Sequence, residues 1–363
     1  MIPELSALDQ AAERVLRSVP AGLARGEIAT GLYGVGFLGR WALPRLKVQG
    51  VRLRSCHDSS EALRGRCIDG VPVHNVSELD TNRPEFMVIT ARHAVKPVSA
   101  LLAGHGIPHV SYDAWYVAEN LAAFRDVHDR VLADLRSREV LRAVLMAMLT
   151  GEPAYCQAVC EPHQYFCLPD FCGPKSEIYV DAGAFDGDSI QAFLTTHDGV
   201  VAKIHAFEPG PKQFAALKVR TERLASQWQL KPGSIELVNA GLGDVDGRAH
   251  GDSGNGQLTS FTISHEADAN GVAVDIVSLD HHLNGGPLTF LKADVEGMEM
   301  ALLRGAQATI NRHRPKIAVC AYHYPSDIPE LARAIAELGP DYRFALRHHA
   351  PQLMETVLYC WRH

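Results

Sequence analysis

The chain has 363 residues, 47% hydrophobic and 21% charged, with a formal net charge of −7. This predicts a soluble globular protein of two domains, taking roughly 100–200 residues for each, and argues against a dedicated nucleic-acid binder, which would carry a basic surplus. The start, "MIPELSALDQ", lacks the pattern of a signal peptide, and no apolar run approaches the ~18–20 residues of a membrane span. The expectation is a cytoplasmic protein with no membrane span, whose eight cysteines are free thiols or ligands rather than disulfides.

In chain order, residues 5–18 read as a helix. "EIATGLYGVGFLGRWALPRL" (27–46) reads as a short strand, a glycine turn and a helix, and "VRLRSCHDSS" (51–60) as a strand ending near Asp58. "EFMVITAR" (85–92) and "IPHVSYD" (107–113) give two further buried strands. Strands alternating with helical segments imply a parallel sheet with right-handed crossovers. From Leu121 to Leu149 the apolar residues, among them Phe124, Val131, Leu141, Val144 and Met148, recur at helical spacing, and Gly151, Glu152 and Pro153 end that stretch. A cysteine-rich segment leads into a second series, with strands expected at 177–182, 202–207, 235–239, 288–294 and 315–321. Helices fit 187–196, 211–226, 298–308 and 328–338, and a closing hairpin fits 342–361. The fold class is therefore α/β: two Rossmann-like domains with mainly parallel sheets, over 1–120 and 175–363, joined by a helical and cysteine-rich connector over 121–174.

The loop after the first strand of the second series, "IYVDAGAFDGDS" (178–189), combines Gly183 and Gly187 with Asp181, Asp186 and Asp188. In a parallel sheet, ligands bind past the carboxyl ends of the strands. The glycines let backbone approach a ligand, and the helix start offers N–H donors to an anionic group. Three acids repel a polyphosphate, whereas Asp181 suits an ammonium group. Glu208, in "HAFEPGPKQF" (205–214), stands at the end of the next strand, where an acid accepts hydrogen bonds from ribose hydroxyls. An amino-acid end plus a ribose describes S-adenosylmethionine. The plain structural alternative is that Asp181 caps the helix and Glu208 sits in a solvated turn.

On these residues the second half resembles the FkbM family of S-adenosylmethionine-dependent methyltransferases. The matching segments are "YVDAGAFDGDS", "AFEPGP", "VNAGLGD" (238–244), "FLKADVEGMEMALLRGA" (290–306) and "AYHYPSDI" (321–328), in family order. The resemblance implies a Rossmann-like domain that methylates hydroxyls of sugars or polyketide-type natural products. Carried over by position, it sets Asp181, Gly183 and Gly187, with Ala184, Asp188 and Ser189 between and beside them, at the methionine end of the cofactor. Glu208 and Pro209 fall at the ribose and Asn239 or its neighbours near the adenine. The stretch "GDSGNGQLTS" (251–260) and the cysteine-rich lead-in depart from the family pattern.

Methyl transfer to a hydroxyl needs in-line geometry and a base for the departing proton. Lys292, Asp294 and Glu296 alternate at a strand end and so share a face. Asp294 or His323, whose unperturbed pKa lies near neutral, is the expected base; Lys292 and Glu296 would orient the acceptor, and Glu299 would cap or favour the helix start. Purely structural readings are a hydrogen-bonded histidine, and a cap plus an ion pair to Lys292.

Two features remain. "GVGFLG" (34–39) matches G-x-G-x-x-G with Gly34, Gly36 and Gly39, and Asp58 follows at the distance of a ribose-binding acid. It is read as part of an accessory domain that binds a nucleotide-like group or a partner, or as a vestigial fold. "YCQAVCEPHQYFCLPDFC" (155–172) gathers Cys156, Cys160, His163, Cys167 and Cys172, which could hold a structural zinc or, second to it, an iron–sulfur cluster; the alternative is small buried residues in a connecting loop. The expected function is O-methylation of a sugar or glycoconjugate hydroxyl, with a small-molecule or glycan acceptor. The competing readings are a nucleotide-sugar oxidoreductase using the first loop and a non-catalytic binder with a decayed methyltransferase domain. Oligomeric state, a homo-oligomer included, is left open.

Overall fold

The computed structural model describes residues 2–252, 262–264 and 272–362. The first domain holds strands β1 (Thr30–Tyr33), β2 (Leu53–Asp58), β3 (Cys67–Ile68), β4 (Val71–Asn75), β5 (Phe86–Ile89) and β6 (His109–Ser111). They form one sheet in the order β3-β4-β2-β1-β5-β6, parallel except for the antiparallel edge strand β3. Every residue of β5 is buried, as expected for a parallel strand covered on both faces.

The second domain holds β7 (Glu177–Ala182), β8 (Val201–Phe207), β9 (Ile235–Val238), β10 (Gly241–Gly243), β11 (Gly247–Asp252), β12 (Thr262–Ser264), β13 (Val272–Ser278), β14 (Phe290–Ala293), β15 (Lys316–Cys320), β16 (Arg343–His348) and β17 (Thr356–Trp361). Seven of them form a sheet in the order β16-β17-β15-β14-β7-β8-β9. It is parallel from β9 to β15, and β17 joins β15 antiparallel, closing the expected hairpin with β16. A separate four-stranded sheet, β10-β13-β11-β12, has no counterpart in the sequence reading. The expected helix over 298–308 is interrupted at Ala306, between Glu299–Gly305 and Gln307–His313.

The helical segment between the domains is core rather than tether. Its helix Leu135–Thr150 is capped by Asp134, which accepts from the Ser137 amide at 2.8 Å, and ends at left-handed Gly151. It is buried on ten positions because it packs against helices Leu5–Ser18 and Tyr112–Glu119 of the first domain and against β16 of the second. A single hydrophobic cluster accordingly runs from Leu8 and Val117 through Val144 to Leu291 and Leu346.

Candidate active site

The strand ends β7, β8, β14 and β15 open onto a cavity of about 590 Å³. That lies within the range of small-molecule sites and at the side of a parallel sheet where ligands bind. Its floor is built by two loops that cross closely. Gly183, at φ +75°, donates its amide to the Phe207 carbonyl, and a Cβ there would stand 1.8 Å from the Asp294 carbonyl oxygen. Only glycine allows the loop after β7 to lie against the loop after β14.

Asp181 lies beneath this floor and does not line the cavity. It is fully buried, with one oxygen on the Ser189 hydroxyl at 2.5 Å and the other 3.0 Å from Lys292 Nζ. Ala184 and Gly187 shape the turn without facing the cavity, whereas Gly183, Asp188 and Ser189 line it. Glu208 lines the opposite wall beside Pro209. Its two oxygens accept from the Phe185 amide at 3.0 Å and the Gly210 amide at 2.7 Å, and burial raises its pKa to about 7. Asn239 is exposed and donates to the Glu208 carbonyl at 2.8 Å, so it braces that turn from behind. Its successors Ala240, Gly241 and Leu242 form the wall instead.

Lys292 was expected to orient the acceptor. It lines the cavity, yet its three donors have three internal partners: Asp181 at 3.0 Å, the Ala182 carbonyl at 3.2 Å and the Gly183 carbonyl at 2.6 Å. Burial opposes its charge, but Asp181 and Asp294 hold its pKa above the ordinary value. Lys292 therefore holds the floor together rather than reaching for a ligand.

Asp294 accepts the Tyr165 hydroxyl at 2.9 Å and the Tyr322 hydroxyl at 3.4 Å. Burial raises its pKa, but Lys292 and His323 outweigh that and keep it low. His323 stands 3.1 Å from Glu299 and 3.6 Å from both Asp294 and Glu296. Although burial lowers its pKa, the three acids carry it up to about 10, so the imidazole is a cation at neutral pH and not the expected base. Glu299 also accepts the Val295 amide at 2.9 Å, tying off the start of its helix. Glu296 differs from its neighbours: burial raises its pKa to about 7 against the pull of His323. It also sits in left-handed backbone at φ +52°, a strain of about 1–3 kcal/mol that concentrates at functional sites.

The remaining walls come from residues the sequence reading did not single out. Gln164 and Tyr165 enter from the cysteine-rich segment, and the Gln164 amide donates to both the Tyr165 hydroxyl and Glu355 in the loop between β16 and β17. The first domain supplies Phe37 and Arg92. Arg92 makes a bidentate pair with Asp113 at 2.8 and 2.7 Å and donates to the carbonyls of Tyr322 and His323. Phe37 follows Gly34 and Gly36. Within that loop the Gly34 amide goes to the His57 carbonyl and the Val35 amide to Asp58, at 2.9 Å. Asp58's second oxygen accepts from the Ser60 amide, also at 2.9 Å. Asp58 thus closes its own loop rather than standing free for a ribose. Gly39 lets the helix pack down: a Cβ there would be 2.1 Å from the Gly34 carbonyl oxygen.

The cysteines do not converge, which corrects the zinc expectation. Cys156 is buried, Cys160 exposed, Cys167 within 3.5 Å of the Tyr359 hydroxyl and Cys172 against the Pro169 carbonyl. Among the described residues they contribute to no group of three ligand atoms near enough to share an ion. Two such groups do surround Asp294, one with Glu299 and His323 and one with Cys320 and Glu355.

Residues 181–344 match the family model described as the methyltransferase FkbM domain. The chain carries an FkbM methyltransferase domain. The crystal structure of a methyltransferase FkbM from Methylobacillus flagellatus is 23% identical and covers 98% of both chains, with a TM-score of 0.62. That is a likeness of fold reaching across both domains. A putative rRNA methylase from Clostridium thermocellum (9% identity, 58% of this chain and 93% of that one, TM-score 0.33) is far more distant. So is a fibrillarin from Aeropyrum pernix crystallised with S-adenosyl-L-methionine (10% identity, 51% and 66%, TM-score 0.32). No curated protein sequence matches the chain. Among the described residues no helix is long and apolar enough to cross a membrane.

Proposed function

We propose that the FkbM domain uses S-adenosylmethionine to methylate a hydroxyl of a sugar, glycoconjugate or related natural product. The observation that carries the reading is the cavity between Glu208 and Glu296, at the end of the sheet that holds the FkbM motifs. Its donor set fits the cofactor: Glu208 offers a buried carboxylate suited to two hydroxyls, the start of helix Asp188–Thr196 offers backbone amides to a carboxylate, and Phe207, Pro209 and Leu242 offer apolar edges. Acids outnumber available cations along the walls, which favours a positively charged ligand. When bound, the cofactor supplies an electrophilic methyl group carried on a sulfonium.

The chain's own residues divide the work. Glu296, with its pKa near 7, is the group best matched to take a hydroxyl proton at neutral pH. Asp294 stays ionised and, fixed by Tyr165, holds the acceptor hydroxyl toward the cofactor. The His323 cation restrains Asp294, Glu296 and Glu299 in one cluster. Phe37 gives an aromatic face on which the apolar side of a sugar ring can rest.

The test is a cofactor-turnover assay over nucleotide-sugars and free glycans, with calorimetry for S-adenosylmethionine and, separately, NAD. Binding of the first alone together with turnover on a hydroxyl acceptor supports the proposal. Binding of NAD would favour an oxidoreductase, and binding of neither a decayed domain. A methylated nitrogen or carbon in the product would refute the O-methylation reading while leaving the cofactor assignment standing.

A further inference from the structure

We propose that His205, Glu236 and His282 form a binding site for one divalent transition-metal ion at the edge of the seven-stranded sheet, outside the cavity. His205 on β8 and Glu236 on β9 are register partners in adjacent parallel strands, so their side chains emerge together on one face. His282, on the short helix Leu279–Leu283, comes down over that face. The Nδ1 of His205 stands 3.1 Å from the Nε2 of His282 and 3.5 Å from Glu236 Oε2, and His282 Nε2 stands 3.8 Å from Glu236 Oε1. One ligand atom from each residue lies within 4.8 Å of the others.

A tetrahedral ion with bonds of about 2.0–2.1 Å holds its ligand atoms roughly 3.3–3.4 Å apart. The two contacts of His205 Nδ1, at 3.1 and 3.5 Å, are already near that size, and a turn of the Glu236 carboxylate, whose other oxygen is the one 3.8 Å from His282, would complete the triangle. Two imidazoles and a carboxylate suit zinc, nickel or cobalt rather than magnesium or calcium. Without an ion the two ring nitrogens share one proton across their 3.1 Å contact; the ion would take that proton's place. Glu236, the most exposed of the three, opens the fourth position to water. The competitor is Lys203, whose Nζ lies 2.9 Å from Glu236 Oε2 and would have to swing aside. The ion would also brace the cavity. Phe207, two residues beyond His205, meets the His282 ring edge-on at 4.8 Å between centroids and lines the cavity next to Glu208.

Chelator-treated full-length protein is titrated with Co²⁺, followed by visible absorption, and with Zn²⁺ by calorimetry. The expected result is one Co²⁺ per chain with the intense bands of a tetrahedral site, displaced by Zn²⁺. His205→Ala and His282→Ala should each weaken binding by on the order of 100-fold, and the milder Glu236→Gln should weaken it while leaving the thermal melt of the metal-free protein unchanged. Asp294→Asn and the double change Cys160→Ser/Cys167→Ser should bind as the parent does, which separates this site from the active-site acids and the cysteines. Lys203→Met should tighten binding. No saturable Co²⁺ binding by the parent, or binding that survives both histidine substitutions, overturns the proposal.

Discussion

The Phe37 ring of the first domain stacks on Tyr324 of the second, with centroids 5.0 Å and planes 10° apart. Trp41, one helical turn on, stacks on the same tyrosine at 4.5 Å, and Arg45 lies over Trp41. Gly297 makes room for this column: a Cβ there would come 2.7 Å from Phe37 and 2.5 Å from the Tyr324 hydroxyl. Phe37→Ala is expected to raise the acceptor KM by roughly 2–10-fold, the worth of one aromatic pair, with cofactor affinity unchanged. Steady-state kinetics beside calorimetry checks the split; an equal loss in both would show that Phe37 serves folding alone.

Arg92 and Asp113 form a buried pair whose spare nitrogen anchors the Tyr322–His323 backbone. Asp113→Ala leaves that guanidinium buried without its partner and should cost about 3–5 kcal/mol, read from urea unfolding. The double variant Arg92→Met/Asp113→Leu should recover most of the stability but not the turnover, because the two carbonyls lose their donor.

Glu208→Ala removes two charge-assisted acceptors and should weaken S-adenosylmethionine binding by on the order of 10- to several-hundred-fold, with the melt of the free protein monitored in parallel. Burial lifts the Glu208 pKa to about 7, so its accepting, ionised form fills in as pH rises. Cofactor affinity of the parent should therefore climb between about pH 6 and 8. A flat profile would remove Glu208 from the ribose contact.

As a base, Glu296 acts as the carboxylate. With a raised pKa of about 7, kcat should rise nearly tenfold per pH unit on the acid side and level above neutrality. Glu296→Gln should lower kcat by about 10²–10⁴-fold and abolish that limb. Should the limb persist in the variant, Glu296 is not the group that titrates in it.

His323 has the opposite signature. Its folded pKa, about 10, lies above the ordinary 6.5, so its contribution to stability is complete below pH 6.5 and is lost as pH climbs toward 10. Compared with the parent, His323→Gln should show a flatter loss of stability across that window in urea midpoints.

The strands of the seven-stranded sheet were legible because apolar runs and glycine punctuation are local signals, and the parallel arrangement then brings Gly183, Glu208 and Asp294 to one edge. Tyr165, Gln164 and Glu355 were not, since they reach the cavity from a connector and a hairpin loop whose positions depend on tertiary packing. The connector was misread for a physical reason: ligand-type residues close in sequence suggest a metal, but Cys156 turns into the core while Cys160 faces solvent. Likewise the glycine spacing of "GVGFLG" is real, but it serves a close helix approach and the presentation of Phe37. The raised pKa of His323 could not be foreseen, because Glu299 and Glu296 meet it only in the folded chain.

Strand β17 lies between β15 and β16, and its Tyr359 hydroxyl accepts the amide of Tyr165 at 2.8 Å. A strand that lies outside every family motif is thus inserted inside the sheet and sets the residue that steadies Asp294. Removing 356–361 would therefore unseat Tyr165 as well as the closing hairpin, although every family motif would still be present.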